Sequence, residues 1–479
     1  MLWEFIEKKL KDYEMSKIFD CNETFTYKEL LETVKYKGDI LREKAKPKSK
    51  CVILCEKGIN STIAILLCWY AGLIPIPMSM HYGIKHCENI IKLANPDLCI
   101  IDNDLGLNFD TNMFNITTNQ IQYNNIINPF SEKILKDIAV IMYTSGTTGV
   151  PKGAMLTEGA IVTNVKNISK YFNINRYDTI LISRPLYHCA VLTGELLISI
   201  FSGTNICFLD QKYNPSLVYS YIDKYKITVL CGTPTLLNHL ALYYKHLDKI
   251  SNIRILACSG ECLTASVARN LRQIFKYTKI YNVYGLTEAG PRISYLDSKL
   301  FDTYLGSVGI SLNQTVIRVI DNFNSKTERE TGQIGLVIVR SPSIMKGYYN
   351  NEQLTLKVLS DGWLNTGDLG YIDSNGLLYI CSREDDMIIK AGMNIYPQEI
   401  EESLKQLLFI DDVIAYGVKN TVGQVIAVDI VLNQNYKTYD KKCLLNKFAE
   451  ILPMYLMPSQ VNFVEFIKRN ESGKKVRIH

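Results

Sequence analysis

Short apolar runs alternate along the first part of the chain with stretches in which apolar side chains recur at helical spacing. Residues 51–55, 98–101 and 139–143 are apolar runs of strand length with no polar alternation. The same texture continues through residues 179–182, 205–209, 228–231 and 253–257. A strand that is apolar on both sides needs cover on both faces, so this pattern predicts an α/β fold with a parallel or mixed sheet between helices. The most apolar stretch, residues 63–78, is too short to span a bilayer, and Gly72, Pro75 and Pro77 interrupt it. It reads as a buried helix followed by a short strand, and no integral membrane segment is expected.

Near residue 305 the pattern changes. Residues 316–320 and 334–339 flank a charged connection and predict strands of an antiparallel β-subdomain. After residue 382 the order is strand (387–389), helix (397–408) and two further strands (413–417 and 425–431). The expected division is a large N-terminal core domain, residues 1–382, and a small α+β domain, residues 383–479.

Composition narrows the function. The chain has 479 residues, enough for a large core. Its 53 Lys and Arg against 48 Asp and Glu leave a net charge of only +5, which gives no general attraction for nucleic acid or anionic membrane. Its 13 Cys are scattered without a CxxC pair, and several lie inside apolar runs. They read as reduced, buried thiols of a cytoplasmic protein. The first nine residues carry mixed charge and do not read as a signal sequence.

The sharpest local feature is Tyr143-Thr144-Ser145-Gly146-Thr147-Thr148-Gly149-Val150-Pro151-Lys152-Gly153, directly after a predicted strand. Glycines let backbone amides approach an anion, hydroxyls donate to phosphate oxygens and a lysine neutralises charge. It is not a Walker A loop, because Gly153 follows Lys152 where Ser or Thr is needed. Four more blocks follow: Tyr284-Gly285-Leu286-Thr287-Glu288-Ala289-Gly290-Pro291, Gly362-Trp363-Leu364-Asn365-Thr366-Gly367-Asp368, Arg383-Glu384-Asp385-Asp386-Met387-Ile388-Ile389-Lys390-Ala391-Gly392, and Gly473-Lys474.

Together and in this order the five blocks resemble the adenylate-forming superfamily of acyl-CoA synthetases, adenylation domains and luciferases. The resemblance runs from Phe25-Thr26-Tyr27-Lys28-Glu29-Leu30 to Lys474. It implies a mobile C-terminal domain and a two-step reaction. A carboxylate attacks the α-phosphate of MgATP, and the acyl group of the resulting adenylate then passes to a thiol.

The resemblance also implies roles. Thr144, Ser145, Gly146, Thr147, Thr148, Gly149 and Lys152 would hold the phosphates, and Gly260, Glu261, Asn282, Tyr284 and Gly285 would line the nucleotide. Asp368 would bind the ribose hydroxyls, with Arg383 near the ribose or phosphates. Thr287 would contact the α-phosphate, and Glu288 would ligate Mg²⁺. Lys474, with Lys475 as competitor, would bridge the attacking carboxylate and the α-phosphoryl group. Asp385 matches the hinge between the half-reactions, and Gly392 would line the thiol tunnel.

The wording around Thr287–Pro291 is similar to 4-coumarate–CoA ligases, and Pro185-Leu186-Tyr187-His188 resembles the corresponding segment of aryl- and acyl-CoA ligases. No acidic residue near His188 offers to bind an ammonium, which speaks against an amino-acid substrate. His188, Leu192, Cys231, Gly232, Ser259 and Ala289 would wall the acyl pocket, with His188 at its boundary with the thiol tunnel and among the catalytic residues with Thr287, Glu288 and Lys474. Their small or apolar character suits an aryl or medium-chain acyl group without net charge. The expected partners are a small carboxylic acid and, as acceptor, CoA or the phosphopantetheine of a carrier protein. A non-catalytic nucleotide-binding relative is the alternative of a different class. Two departures stand out: Gln333 replaces the usual Glu, and Lys468-Arg469-Asn470 replaces the usual lead-in to Lys474.

Overall fold

The computed structural model describes the chain except residues 1, 21–22, 80–83, 104–110, 123–134, 145–150, 210–212, 245–251, 391–392, 421–422, 434–435, 437–440, 470–474 and 478–479. Among the described residues a nine-stranded sheet forms the centre. Its middle strands, from Lys279–Gly285 through Ile255–Ser259, Val229–Gly232, Thr179–Ile182 and Asn205–Phe208 to Lys17–Asp20, are all parallel. Antiparallel strands close both edges.

The apolar runs are explained by this position. In Ile255–Ser259, Ile255 and Ala257 enter one core cluster while Leu256 and Cys258 enter another. Ile180 and Ile182 part from Leu181 in the same way, and Val229 and Cys231 from Leu230. Alternate side chains point to opposite faces, and here both faces are buried. The second sheet is built on Lys50–Leu54 and includes Ile74–Pro77, reached from the buried helix Gly58–Tyr70.

One run belongs elsewhere. Ile138–Thr144 pairs antiparallel with Lys152–Thr157 in a three-stranded sheet with Gly347–Tyr348. The strands on either side of the glycine-rich segment are therefore paired with each other, with Thr144 and Lys152 as the last register partners.

The early helix Tyr27–Lys44 starts at a capping box. Thr26 Oγ1 accepts from the Glu29 amide at 3.2 Å, and Glu29 Oε2 accepts from the Thr26 amide at 2.7 Å. Two otherwise unpaired donors are satisfied reciprocally.

The antiparallel subdomain contains Val316–Ile320, Gly335–Arg340, Trp363–Ile372 and Leu378–Arg383. The last body carries a core of its own, from Ile388 to Val461, around the strands Ile410–Asn420, Gly423–Leu432 and Gln460–Phe463. The strand Leu378–Arg383 is followed by a turn at residues 384–386. One helix boundary differs from expectation. The helix Pro397–Leu404 stops four residues early, because the chain turns at 405–409 and leaves Leu408 exposed on its way into the next strand. Among the described residues no helix is long and apolar enough to cross a membrane, and twelve cysteines are unbridged.

Candidate active site

The parallel strands of the central sheet end along one edge. Their register sets Gly232 beside Cys258, and Ser259 beside Val283. Cys231, Gly232, Ser259, Tyr284 and Gly285 thus lie at neighbouring strand ends, where open α/β sheets form their ligand crevice. Two glycines shape this edge. Gly260 has φ +94°, a region that side-chain-bearing residues avoid. A Cβ on Gly285 would lie 1.8 Å from the Pro291 carbonyl oxygen. That contact is tolerable only without a side chain, and it lets residues 286–291 fold back across the strand end.

Thr287–Ala289 forms a single 3₁₀ turn in this returning segment. Glu288 Oε1 accepts a hydrogen bond from the Tyr348 hydroxyl at 2.8 Å. Burial, then the Glu288 carboxylate, push the Tyr348 phenol far above its ordinary range, so it remains a donor. Lys152 Nζ lies 5.9 Å from the centroid of the same ring, within cation–π reach. Tyr348 therefore joins the strand Lys152–Thr157 to the Thr287-Glu288 turn. Sequence reasoning passed over it as one of thirty tyrosines. The available signal was the short Lys346-Gly347-Tyr348 segment, which pairs with Lys152–Thr157. Ser145, Gly146, Thr147, Thr148 and Gly149 lie outside the described residues.

Asp368 stands at the other side of the crevice, buried on the strand Trp363–Ile372. Its Oδ2 accepts from the Tyr284 hydroxyl at 2.5 Å, and its Oδ1 from Arg383 Nη1 at 3.0 Å. Asp368 and Arg383 are direct register partners, so the strand pairing itself places the ion pair. Burial and Asp368 raise the Tyr284 phenol well above its usual range, and Asp368 raises the Arg383 guanidinium further. Each carboxylate oxygen offers two lone-pair positions. Asp368 can therefore take further donors, such as vicinal hydroxyls, without releasing Tyr284 or Arg383.

Two residues expected at the nucleotide have structural tasks. Asn282 is buried, and its Nδ2 donates to the Ser307 carbonyl at 2.8 Å. Its amide thus holds a loop. Glu261 Oε2 accepts from the Thr235 amide (3.2 Å) and hydroxyl (2.7 Å), capping the helix Pro234–Tyr244.

The expected acyl wall is close to the core. Leu192 and Ala289 have no exposure, and Cys231 and Ser259 are buried. His188 is half-buried at the start of Cys189–Val191, its ring tilted against Tyr187 with centroids 4.4 Å apart. Beyond it the helix widens to a π-helical turn, Leu192–Leu197, a feature common at functional sites.

The expectation of an uncharged wall omits three residues. Arg184 Nη2 donates to Glu195 Oε1 at 2.5 Å and approaches Ser259 Oγ at 3.5 Å. Arg292 donates to the Tyr171 hydroxyl at 2.6 Å and to the Gly194 carbonyl at 3.0 Å. Burial pushes the Glu195 carboxyl up, against the pull of Arg184 and Arg292. No motif announces these residues, because they come from three separate segments.

Asp385 is exposed in the turn at residues 384–386, beside Asp386, which accepts from Arg477 Nη1 at 3.1 Å. Gly392 and Lys474 lie outside the described residues. Their neighbours are informative. Lys475 Nζ donates to the Val413 carbonyl at 2.5 Å and pairs with Asp412 at 2.9 Å. Arg469 reaches the same Asp412 at 2.5 Å and donates to Thr235 Oγ1 at 3.1 Å. Arg469 and Lys475 are bridge partners, and the Val476 amide donates to the Lys468 carbonyl. Residues 468–469 and 475–476 are thus held side by side, with Arg469 at Thr235, which Glu261 holds in turn.

Among the described residues no three His, Cys, Asp or Glu side chains gather as a metal cluster. A divalent ion at Glu288 would take one hard carboxylate oxygen from the protein and the rest from phosphate and water. That set fits Mg²⁺.

Comparison with known proteins agrees with this geometry. A family model described as "AMP-binding enzyme" matches residues 7–349, and one described as "AMP-binding enzyme C-terminal domain" matches residues 399–474. A feruloyl-CoA synthase of Amycolatopsis sp is 30% identical over 342 residues, 71% of this chain and 68% of its own length. A long-chain-fatty-acid–CoA ligase of Bacillus subtilis is 32% identical over 360 residues, and the match spans 61% of that protein. Among solved structures, the o-succinylbenzoate CoA synthetase of Bacillus subtilis with its acyl-adenylate intermediate has a TM-score of 0.85 at 23% identity, covering 98% of this chain and 96% of that one. ATP-bound MatB from Rhodopseudomonas palustris has a TM-score of 0.86 at 23% identity, covering 99% and 96%. These two show a shared fold.

Proposed function

Because the chain belongs to the AMP-binding enzyme family, and within it to the adenylate-forming acyl- and aryl-CoA ligases, we propose that it joins an aryl or medium-chain carboxylic acid to CoA in the cytoplasm. In the first step an oxygen of the acid's carboxylate attacks the α-phosphorus of ATP. The bond from that phosphorus to the oxygen leading to the β-phosphate breaks, and pyrophosphate leaves. In the second step the thiol sulfur attacks the acyl carbonyl carbon, the carbon–oxygen bond to AMP breaks, and the thiol loses its proton.

The observation that carries this reading is the Tyr284–Asp368–Arg383 arrangement facing the Glu288–Tyr348–Lys152 arrangement across the strand ends. One side suits a ribose and the other a polyphosphate. Thr287, next to Glu288 in the same 3₁₀ turn, would meet the α-phosphoryl group. Bound Mg²⁺ would supply charge neutralisation on the phosphates, with Glu288 as its protein ligand. The protein's own contribution is position: charge that develops on the α-phosphoryl oxygens meets groups already in place.

Lys474 is the first-step cation in this reading. Lys475 is engaged by Asp412 and the Val413 carbonyl, so its ammonium is already used within its own domain. Arg469 and Lys475, which flank Lys474 in sequence, pair with each other, and Arg469 donates to Thr235 beside the strand ends. The exposed turn at 384–386 separates the two cores and is the hinge, with residues up to 383 in the larger domain. Rotation there brings the region of Gly392 to the crevice for the thiol step.

The test is pyrophosphate release over a panel of carboxylic acids, with CoA and a phosphopantetheinylated carrier protein as alternative acceptors. Acid-dependent release with acyl-CoA as product is the expected result. Product on the carrier alone would reassign the acceptor. ATP binding without release for any acid would leave a non-catalytic nucleotide binder.

A further inference from the structure

The three charged residues beside the acyl wall are not balanced. Arg184 and Arg292 carry two positive charges against the single Glu195. The side chains of Arg184 and Glu195 are 8% and 0% exposed, and Arg292 is 4% exposed. A buried charge is normally paired and every donor used. Here Arg184 Nε, Arg292 Nε and Glu195 Oε2 are buried without an oxygen or nitrogen partner, and the Cys231 thiol is the polarisable neighbour of Arg292. Arg292 makes no direct carboxylate contact among its hydrogen bonds. It has a phenol, a backbone carbonyl and the face of Phe172, with 5.0 Å from guanidinium carbon to ring centroid.

The backbone has been shaped to admit this side chain. A Cβ on Gly194 would lie 2.9 Å from both Arg292 Nε and Nη2. Residue 194 must therefore lack a side chain for the guanidinium to sit where it does. Gly194 belongs to the same π-helical turn as Leu192. Cys231 feels Glu195, Arg292 and Arg184 together, and Ser259 meets Arg184. Leu192, Cys231 and Ser259 are three of the side chains already assigned to the acyl wall. A purely structural arginine would be expected to have its donors on oxygen acceptors; Arg292 Nε has none and meets at most the weak Cys231 thiol of that wall.

We propose that the acid activated by this chain carries a second carboxylate at the end remote from the reacting one, and that Arg292, with Arg184 behind it, receives that group. This rests on the carboxylate-activating function proposed above and sharpens its substrate class to dicarboxylic acids. One anion brings the excess positive charge of the trio to zero and gives the guanidinium donor an oxygen acceptor. Charge-assisted bonds of this kind are among the stronger protein interactions. Arg292 is a specificity-determining residue, since it would touch the substrate away from the bond being made.

Matched acids test this: a dicarboxylic acid, its half-methyl ester and the monocarboxylic acid of equal length, each at several lengths. For the unmodified protein kcat/KM should favour the dicarboxylate by on the order of 10²-fold. Arg292→Met should remove that preference, mainly through KM for the acid, while KM for ATP stays the same. Arg292→Lys should keep part of it, because charge without the planar fork retains attraction but not paired donation. Thermal unfolding of each variant shows whether it folds. Should Arg292→Met fail to fold, Ser259→Asp, placed at Arg184, should lower the dicarboxylate preference by occupying the cation. Preference for the ester or monocarboxylate in the unmodified protein would overturn the proposal, as would equal losses for all three acids in a folded Arg292→Met. If no acid is activated, the function proposed above fails by itself. The charge reading is then decided by thermal stabilisation: the dicarboxylate alone should stabilise the unmodified protein and not the variant, and no difference between them would end it.

Discussion

The two ends of the crevice use buried charge differently. At the nucleotide end both oxygens of Asp368 have donors, from Tyr284 and Arg383, and strand register fixes the pair. At the acid end Glu195 pairs with Arg184 alone while Arg292 has no carboxylate partner, and buried donors and an acceptor lack an oxygen or nitrogen partner. The first arrangement is complete without ligand, and a nucleotide adds to it. The second lacks an anion, and a substrate would finish it. The contrast suggests that binding the common co-substrate relies on a prebuilt, rigid site. Choice of acid relies on a deficit that the correct substrate alone corrects, since a wrong one leaves buried groups unpaired.

Lys474→Ala should give the largest effect and should separate the ends by step. Pyrophosphate release should fall by at least about 10²–10³-fold, the loss expected for one charge-stabilising group. Thioester formation from supplied acyl-adenylate should persist. Equal loss in both assays would remove Lys474 from the first step.

Asp368→Asn comes next and strikes the complete end. It keeps the shape but leaves Arg383 without its carboxylate. KM for ATP should rise on the order of 10–10²-fold, and the ranking of acids should not change. A changed ranking would show that the two ends are coupled. Tyr348→Phe is milder. It removes the hydroxyl held by Glu288 and should shift the Mg²⁺ dependence of turnover, with a loss of roughly tenfold or less. An unaltered Mg²⁺ titration would confine Tyr348 to packing.

These residues also show where the sequence could be read. Thr287, Glu288, Asp368 and Arg383 sit in contiguous blocks whose glycines and polar residues have no place in an apolar core, so they stood out. The central strands were legible because burial on both faces leaves unbroken apolar runs. Strand partnership was not, and residues 139–143 pair with Lys152–Thr157 outside the central sheet. Tyr348 and the Arg184–Glu195–Arg292 trio were hidden for a further reason. Each side chain is ordinary in its own segment, and only tertiary packing brings it to the crevice.

The smallest predicted effect concerns the docked chain end. Burial would raise the Asp412 carboxyl, but Lys475, Lys405 and Arg469 together hold it well below the usual range. Its folded pKa is below the unfolded value of about 3.9. Its stabilisation is therefore fully present above about pH 4 and is lost as pH falls toward the folded value. Asp412→Asn should unfold at lower temperature at pH 7, and its midpoint should decline less steeply than that of the unmodified protein below about pH 4. Parallel declines in the two proteins would take Asp412 out of the acid response. Because Asp412 touches neither end of the crevice, acid preference should be unaffected.

The central claim is that the acid is activated as an adenylate before any thiol takes part. Exchange of labelled pyrophosphate into ATP tests it most directly, in a mixture of enzyme, MgATP and a preferred dicarboxylic acid with CoA omitted. Rapid exchange that requires the acid and disappears in Lys474→Ala is the predicted result. Exchange that needs CoA, or that proceeds equally without acid, would contradict the account.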